Sequence, residues 1–338
     1  MMRIAVDAMG GDHAPPVVVD GAVAASRHSD ATLLLVGAAA DLDRALARHR
    51  DRSSLPIEIV DAGEVIAMTE SPAAALRRKP RASIRVAAEL LARREAVALV
   101  SAGHTGATVM ATHAAVGMID GVDRPALAAA IPTRARPAVL LDAGANAECR
   151  PHHLLQFAVM GSVYARVAWG VDRPRVGLLS IGEEATKGND LTREAHRLLT
   201  GAPVNFIGNV EGREIYSGSA DVVVCDGFTG NVVLKTSEGL VDTVETLLGD
   251  ELQSGWSSRL GYLLSRGAFQ RFRSRVDYTE YGGATLLGVA GLTIVGHGRS
   301  SARAVENAIG MAVRFAAANF TARVSQEIGA MAATRKPA

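Results

Sequence analysis

At least five short apolar runs in this 338-residue chain each empty into a loop of glycine and small polar residues, after which helical periodicity resumes. Ile4 to Val6 ends in Asp7-Ala8-Met9-Gly10-Gly11-Asp12-His13, and Ala98 to Val100 in Ser101-Ala102-Gly103-His104-Thr105. Val139 to Leu141 delivers Asp142-Ala143-Gly144-Ala145-Asn146, and Val176 to Ile181 delivers Gly182 to Asp190. Val204 to Ile207 precedes Gly208-Asn209-Val210-Glu211, and Ala220 to Cys225 precedes Asp226-Gly227-Phe228-Thr229-Gly230-Asn231. Runs this short, bracketed by breakers, read as buried strands. Strands alternating with helices predict an α/β/α sandwich around a mostly parallel, Rossmann-like sheet. Such sheets bind ligands beyond the carboxyl ends of their strands. If these loops share one edge, they build a single polar crevice.

The core must come from Ala, Val, Leu and Ile, because 48% of residues are hydrophobic and only 4% are aromatic. Thirty-four glycines suit many tight strand–helix connections better than a helical bundle. A formal charge of +1 gives no global attraction to nucleic acid, so nucleic-acid partners are not expected. Cys149 and Cys225 make neither a disulfide framework nor a zinc site, which points to a reducing cytoplasm. The start, Met-Met-Arg-Ile-Ala-Val-Asp, reads as a strand rather than a signal peptide. No charge-free apolar run reaches the roughly 20 residues that a spanning helix needs.

The loop after Val176 to Ile181 holds a single cation, Lys187, between Gly182 and Gly188, and Asn189 or Asp190 caps the next helix. Backbone N–H groups, a helix start and a lysine form an anion site. Because Lys187 precedes the glycine, this is not a nucleotide-binding Walker loop. A solvated surface connector fits that stretch alone equally well. Gly10 and Gly11 lack the third glycine of a dinucleotide fingerprint. Thr105 can cap the helix after Gly103, and His104 could serve as base, phosphate ligand or mere neighbour. Cys225 closes the run Val222-Val223-Val224 and is expected to be an inert core thiol.

Two stretches carry local positive charge. Leu76-Arg77-Arg78-Lys79-Pro80-Arg81 reads as a solvated basic turn, with docking of an acidic partner as the alternative. Between residues 252 and 276, Trp256, Leu260, Leu263 and Leu264 share one helical face. Gly267 is expected to break that helix, with Phe269 and Phe272 on a second short one and arginines interleaved. A basic amphipathic hairpin of this kind suits a membrane interface, although a core-facing helix pair has the same pattern. Residues 302 to about 328 read as one terminal helix.

Taken in order, the segments Asp7–Asp12, Ser101–Gly106, Leu141–Asn146, Leu178–Asn189, Gly208–Arg213, Asp221–Lys235, Asp277–Gly291 and His297-Gly298 resemble the PlsX-type phosphate acyltransferases of bacterial phospholipid synthesis. The resemblance spans about residues 3 to 315 and implies one phosphate acyltransferase domain over 1–338, with the fold of phosphotransacetylases and isocitrate-type dehydrogenases. It further implies a homodimer that moves a long-chain fatty acyl group from acyl carrier protein to inorganic phosphate. The acyl phosphate would then pass to a membrane glycerol-phosphate acyltransferase, with the enzyme peripherally attached to the inner face of the cell membrane. No metal, cofactor or acyl-enzyme is required, because phosphate is already nucleophilic and a thiolate leaves readily. Lys187, Asn189 and Asn231 are the expected catalytic residues. Asp7, Gly10, Gly11, Asp12, His104, Thr105, Asn146, Asn209, Glu211, Asp226, Thr229 and His297 are expected to bind substrate or phosphate. Trp256, Leu260, Leu263, Leu264, Phe269 and Phe272 are the expected membrane contacts. The chain departs from the family pattern at His104, where asparagine is usual, and at Ala82-Ser83, where a serine pair is common. Rival expectations are a phosphotransacetylase-like enzyme using a CoA thioester, and a non-enzymatic scaffold that docks carrier protein through Arg77, Arg78, Lys79 and Arg81.

Overall fold

The computed structural model describes residues 2–276 and 281–335. The motif residues Asp277 to Glu280 lie outside the described residues. One sheet of eleven strands runs in the order β3-β2-β1-β4-β11-β10-β5-β6-β9-β7-β8. On one side are β1 (Arg3–Asp7), β2 (Thr32–Gly37), β3 (Ile57–Asp61), β4 (Ala98–Ser101) and β11 (Leu292–Val295), all mutually parallel. On the other are β6 (Ala138–Leu141), β7 (Arg175–Leu179), β8 (Asn205–Val210) and β9 (Val222–Val224), again parallel among themselves. Between them β10 (Ala284–Leu287) and β5 (Ala126–Ile131) pair antiparallel with each other and with their outer neighbours. The α/β/α expectation holds. The alanine-rich β5 was not anticipated, because four of its six residues are alanine, which is depleted in strands.

The three antiparallel junctions reverse the direction of the sheet from one half to the other. Asp7, Ser101 and Gly296 therefore leave at one edge, while Asp142, Ser180, Glu211 and Cys225 leave at the opposite edge. The condition of one shared edge is not met. Long-range antiparallel pairing overrides what each strand–loop unit suggests separately.

Helices cover both faces. On one lie α1 (Pro16–Ser26), α2 (Ala39–Leu46), α6 (Pro151–Trp169), α7 (Asp190–Thr200), α10 (Ala302–Ala317) and α11 (Phe320–Arg335), packed on Ile4, Val6, Leu141 and Val224 among others. The expected single terminal helix is two, interrupted where Asn319 takes φ +52°, a left-handed conformation that ends helices. On the other face α3 (Pro72–Arg78), α4 (Ser83–Ala92) and α5 (Thr105–Val116) pack over one half of the sheet. The expected basic turn is half helix: Leu76, Arg77 and Arg78 end α3, and Lys79, Pro80 and Arg81 follow it. α8 (Gly227–Gln253) covers part of the other half and is joined to α9 (Trp256–Val276). Val109 and Val116 of α5 and Leu234 of α8 meet on one apolar patch with Leu127, Leu286 and Val295. The two helices start from opposite edges and face each other across the central strands.

α9 is one continuous helix, so Gly267 does not break it. The helical hairpin is instead formed by the outer part of α8 and α9. Phe272 lines the same cavity as Leu240 and Val241, which fixes an antiparallel return. None of the described helices is long and apolar enough to cross a membrane.

Candidate active site

The first cluster lies where β1, β4 and β11 end. Asp7 is buried, and its Oδ2 accepts from Ser101 Oγ at 2.7 Å. Burial pushes the Asp7 carboxyl up from its ordinary pKa, against the lowering effect of the Ser83 and Ser101 hydroxyls and the Met9 and Gly10 amides. Gly10 lets the first loop press on the second: a Cβ there would stand 2.8 Å from Gly103 N and 2.6 Å from Asp7 Oδ2. Asp12 N donates to Gly298 O at 2.8 Å and so ties the third loop in, with Gly11 alongside.

The histidines of these loops share one local geometry. His104 Nδ1 accepts from Gly106 N at 3.1 Å, and His297 Nδ1 accepts from Arg299 N at 3.1 Å. With Nδ1 accepting, each neutral ring carries its proton on Nε2 and presents a donor. His104, not Thr105, is the N-cap of α5; Thr105 is its first residue. Burial, and next the nearby Lys235 ammonium, hold the pKa of His297 below its ordinary value, so the ring stays neutral. Lys235 Nζ stands 3.5 Å from His297 Nε2 and is paired with Glu238 at 2.7 Å. Two N–H groups side by side are suited to a negatively charged oxygen.

The second cluster, at the opposite edge, is organised by Asp142. This fully buried carboxylate accepts from Leu127 N, Gly144 N, Ala145 N and Asn146 N, and from Asn146 Nδ2, at 2.8–3.0 Å. The Asn146 amide also donates to Pro125 O, so it serves the loop. Gly230, in the first turn of α8, lies so close to Asp142 that a Cβ would run into the Asp142 carbonyl oxygen. Asp226 caps α8, accepting from Thr229 N at 2.9 Å and Thr229 Oγ1 at 2.8 Å. Asn231 Nδ2 comes against Gly144. α8 thus begins at Gly227, within the stretch Asp226 to Asn231 that reads as a loop in the sequence.

Lys187 lies on the loop after β7, whose end neighbours that of β9. Its side chain is exposed and makes no ion pair among the described residues. Asn189 caps α7 by accepting from Thr192 N at 2.9 Å. Asn209 braces the loop, donating to Glu184 O at 2.8 Å and meeting His196 Nδ1 at 2.9 Å. Glu211 pairs with Arg213 at 2.9 Å. Ile181, expected to close the strand, is 82% exposed instead.

The structure thus divides the expected residues between two edges and joins them along α8, which carries Thr229 and Asn231 near one edge and reaches His297 through Lys235. Lys235 carries no local signal of a site role in the sequence, because a lysine within a helix reads as an ordinary surface residue. Neither cysteine is set up as a nucleophile: burial raises the Cys225 thiol well above its ordinary pKa and pushes Cys149 to about 11. Asp123, His152 and His153 bring three ligand-type atoms within 4.8 Å of one another. His153 Nδ1, however, accepts from Arg150 N at 3.0 Å, which protonates Nε2 and leaves no lone pair for a metal.

The model of the fatty acid synthesis protein family matches residues 2–323. The chain belongs to that family. Family members named phosphate acyltransferase include one from Geobacter sp. (strain M21), 51% identical over 327 residues, covering 97% of this chain and 93% of that protein. Another, from Heliobacterium modesticaldum, is 50% identical and covers 97% and 98%. The chain is therefore a PlsX-type phosphate acyltransferase by family. Among solved structures, a Streptococcus pyogenes phosphotransacetylase matches with a TM-score of 0.59 at 17% identity, covering 97% of this chain and 94% of its own. A 4-hydroxythreonine-4-phosphate dehydrogenase from Klebsiella pneumoniae matches at 0.53 and 15%, covering 93% and 99%. At such identities the likeness is one of fold alone.

Proposed function

We propose that this phosphate acyltransferase moves a long-chain fatty acyl group from acyl carrier protein to inorganic phosphate, and reversibly so. A phosphate oxygen attacks the thioester carbonyl, the C–S bond breaks, and the carrier's thiolate leaves with the proton that phosphate gives up. The observation that carries this reading is the donor pair of Lys235 and His297, 3.5 Å apart, one helical turn from Asn231 on α8. Donors fixed before reaction stabilise a developing oxyanion without reorganisation, and one such group contributes about 10²–10³ in rate. Lys187, with Asn189, Thr229 and Asn231, holds phosphate at the start of α8, where amides and the helix dipole favour an anion. Asp7, Asp12 and Asp226 shape the loops.

The same reading makes the enzyme a homodimer attached peripherally to the cytoplasmic face of the membrane. Its support is the hairpin, where Trp256 and Leu264 are 81% and 80% exposed and Leu260 and Leu263 are also open to solvent. A membrane glycerol-phosphate acyltransferase is the natural acceptor of a labile, apolar product. Of the basic residues offered for carrier docking, Lys79 is paired with Glu70 at 2.5 Å and Arg81 with Asp61 at 2.5 Å, while Arg77 and Arg78 are exposed at the end of α3.

The test is to supply palmitoyl acyl carrier protein with and without phosphate and to trap acyl phosphate with hydroxylamine. Phosphate-dependent hydroxamate is expected, reduced by two or more orders of magnitude in Lys187→Ala with an unchanged melting profile. Product from acetyl-CoA alone would favour the CoA-dependent reading, and none from either donor the scaffold. Near-normal turnover in Lys187→Ala would remove that lysine from the mechanism.

A further inference from the structure

An apolar cavity of about 450 Å³ opens beside the Lys235–His297 pair. Its walls are Ile131 at the end of β5, Leu234, Leu240 and Val241 of α8, Tyr216, and Phe272 of α9. The hydroxyls within it are turned on each other: Ser237 Oγ donates to Val233 O at 2.6 Å, and the Tyr216 hydroxyl bonds to Ser237. The rest of the lining is mainly hydrocarbon, with Thr133, Arg134 and Glu238 as its other polar members. Glu238 lines the cavity and also pairs with Lys235, whose ammonium faces His297. The lining is therefore charged at Glu238, beside Lys235, and at Arg134, and apolar along α8 and at Phe272.

Two other sizeable cavities differ in kind. One, of about 310 Å³, is bounded by Arg166, Asp172, Arg173 and Glu327. The other, of about 620 Å³ between α3, α4 and α5, is rimmed by Arg77, Arg85, Glu89 and Arg93. Charged side chains make up a larger share of both linings than of the first, and desolvating them opposes entry of a hydrocarbon chain. An acyl chain withdrawn from water gains about 0.8 kcal/mol per methylene, provided that its surroundings are apolar.

We propose that the cavity walled by Leu234, Leu240, Val241 and Phe272 is the acyl-chain subsite of this transferase, with the carbonyl end of the chain held at Lys235 and His297. The assignment rests on the reading that long acyl chains are the substrate. α8 then orders the reaction along its length: phosphate at its first turn, the carbonyl at Lys235, and the chain at Leu240 and Val241. Phe272 belongs to both the cavity wall and the hairpin with exposed Trp256, Leu263 and Leu264. A chain leaving the cavity past Phe272 meets apolar side chains rather than water, so product can pass directly to a lipid surface.

Val241→Trp in the full-length protein narrows the cavity, and Leu247→Trp, on the exposed outer part of α8 and outside the cavity, is the control. kcat/KM is measured for acyl carrier protein carrying four-, eight- and sixteen-carbon chains. Binding of the fluorescent fatty acid cis-parinarate is followed separately and needs no turnover. The expected result is a fall of tenfold or more in the sixteen- to four-carbon ratio for Val241→Trp alone, with KM for phosphate unchanged and parinarate binding lost. An unchanged ratio, with parinarate still bound, overturns the proposal. Uniform loss at all lengths with a change of oligomeric mass also overturns it and makes the groove a contact between copies. If the wild type acylates phosphate from no long-chain donor, the functional reading fails. Parinarate binding abolished by Val241→Trp would then still establish an apolar-chain site, and absence of binding would remove it.

Discussion

Asp7 joins a buried carboxyl to a loop that the cleft depends on, and its environment has a measurable signature. Burial raises its folded pKa above the unfolded value, so the protonated form is the one that the fold prefers. The associated stability is fully present below the unfolded pKa, about 3.9, and is lost as pH rises through the folded value. Asp7→Asn removes the titration while keeping an acceptor for Ser101. Melting temperatures of wild type and variant should diverge as pH rises through that window, the variant losing less. A gap that stays constant from pH 4 to neutrality would show that Asp7 does not titrate in this way. Other residue roles were partly visible beforehand. Asn189 carries the helix-capping pattern in its own sequence and caps α7, whereas Asp226, read as a loop residue, proves to cap α8. Asp142 and Asn146 were seen as loop residues, but their five-donor network depends on Leu127 and Pro125 from a strand start elsewhere in the chain.

α8 is the element on which the site depends, and its seating rests on one close approach. Gly230 lies against the Asp142 carbonyl, where backbone cannot yield as a side-chain tip could. Gly230→Ala should displace the first turn of α8 and destabilise the protein by about 1–3 kcal/mol, the range for overpacking a tight interior, with a larger loss of turnover because Asn231 and Lys235 move with the helix. Chemical denaturation alongside the hydroxamate assay measures both, and a wild-type midpoint would contradict the contact. At the far end, the hairpin carries Leu263 and its neighbours in the open, and burying each such side chain in lipid contributes roughly 1.5–3 kcal/mol. Leu263→Glu should abolish co-flotation with anionic vesicles while sparing turnover in solution. Undiminished flotation would leave the hairpin without its membrane role. The heptad-like spacing of Leu260, Leu263 and Leu264 showed the helix but not its environment: a core-facing stripe and a membrane-facing one have the same period.

At the scale of the molecule, the strand–loop–helix pattern was enough to predict a layered α/β chain, because hydrophobic period and turn chemistry are local properties. The same local character explains why one shared edge could be posed only as a condition. Strand direction depends on which strands pair, and the reversing strands β5 and β10 come from segments more than 150 residues apart. Neither announces its orientation. The order of loops, glycines and helix caps, and the family that they indicate, belong to the sequence alone. Only the tertiary structure decided that the loops divide between two edges, that α8 connects them through Lys235 and His297, and that an apolar cavity continues from that pair. The physical reason is that a cleft is made by residues whose sequence separation carries no periodic signal, and long-range packing brings them together.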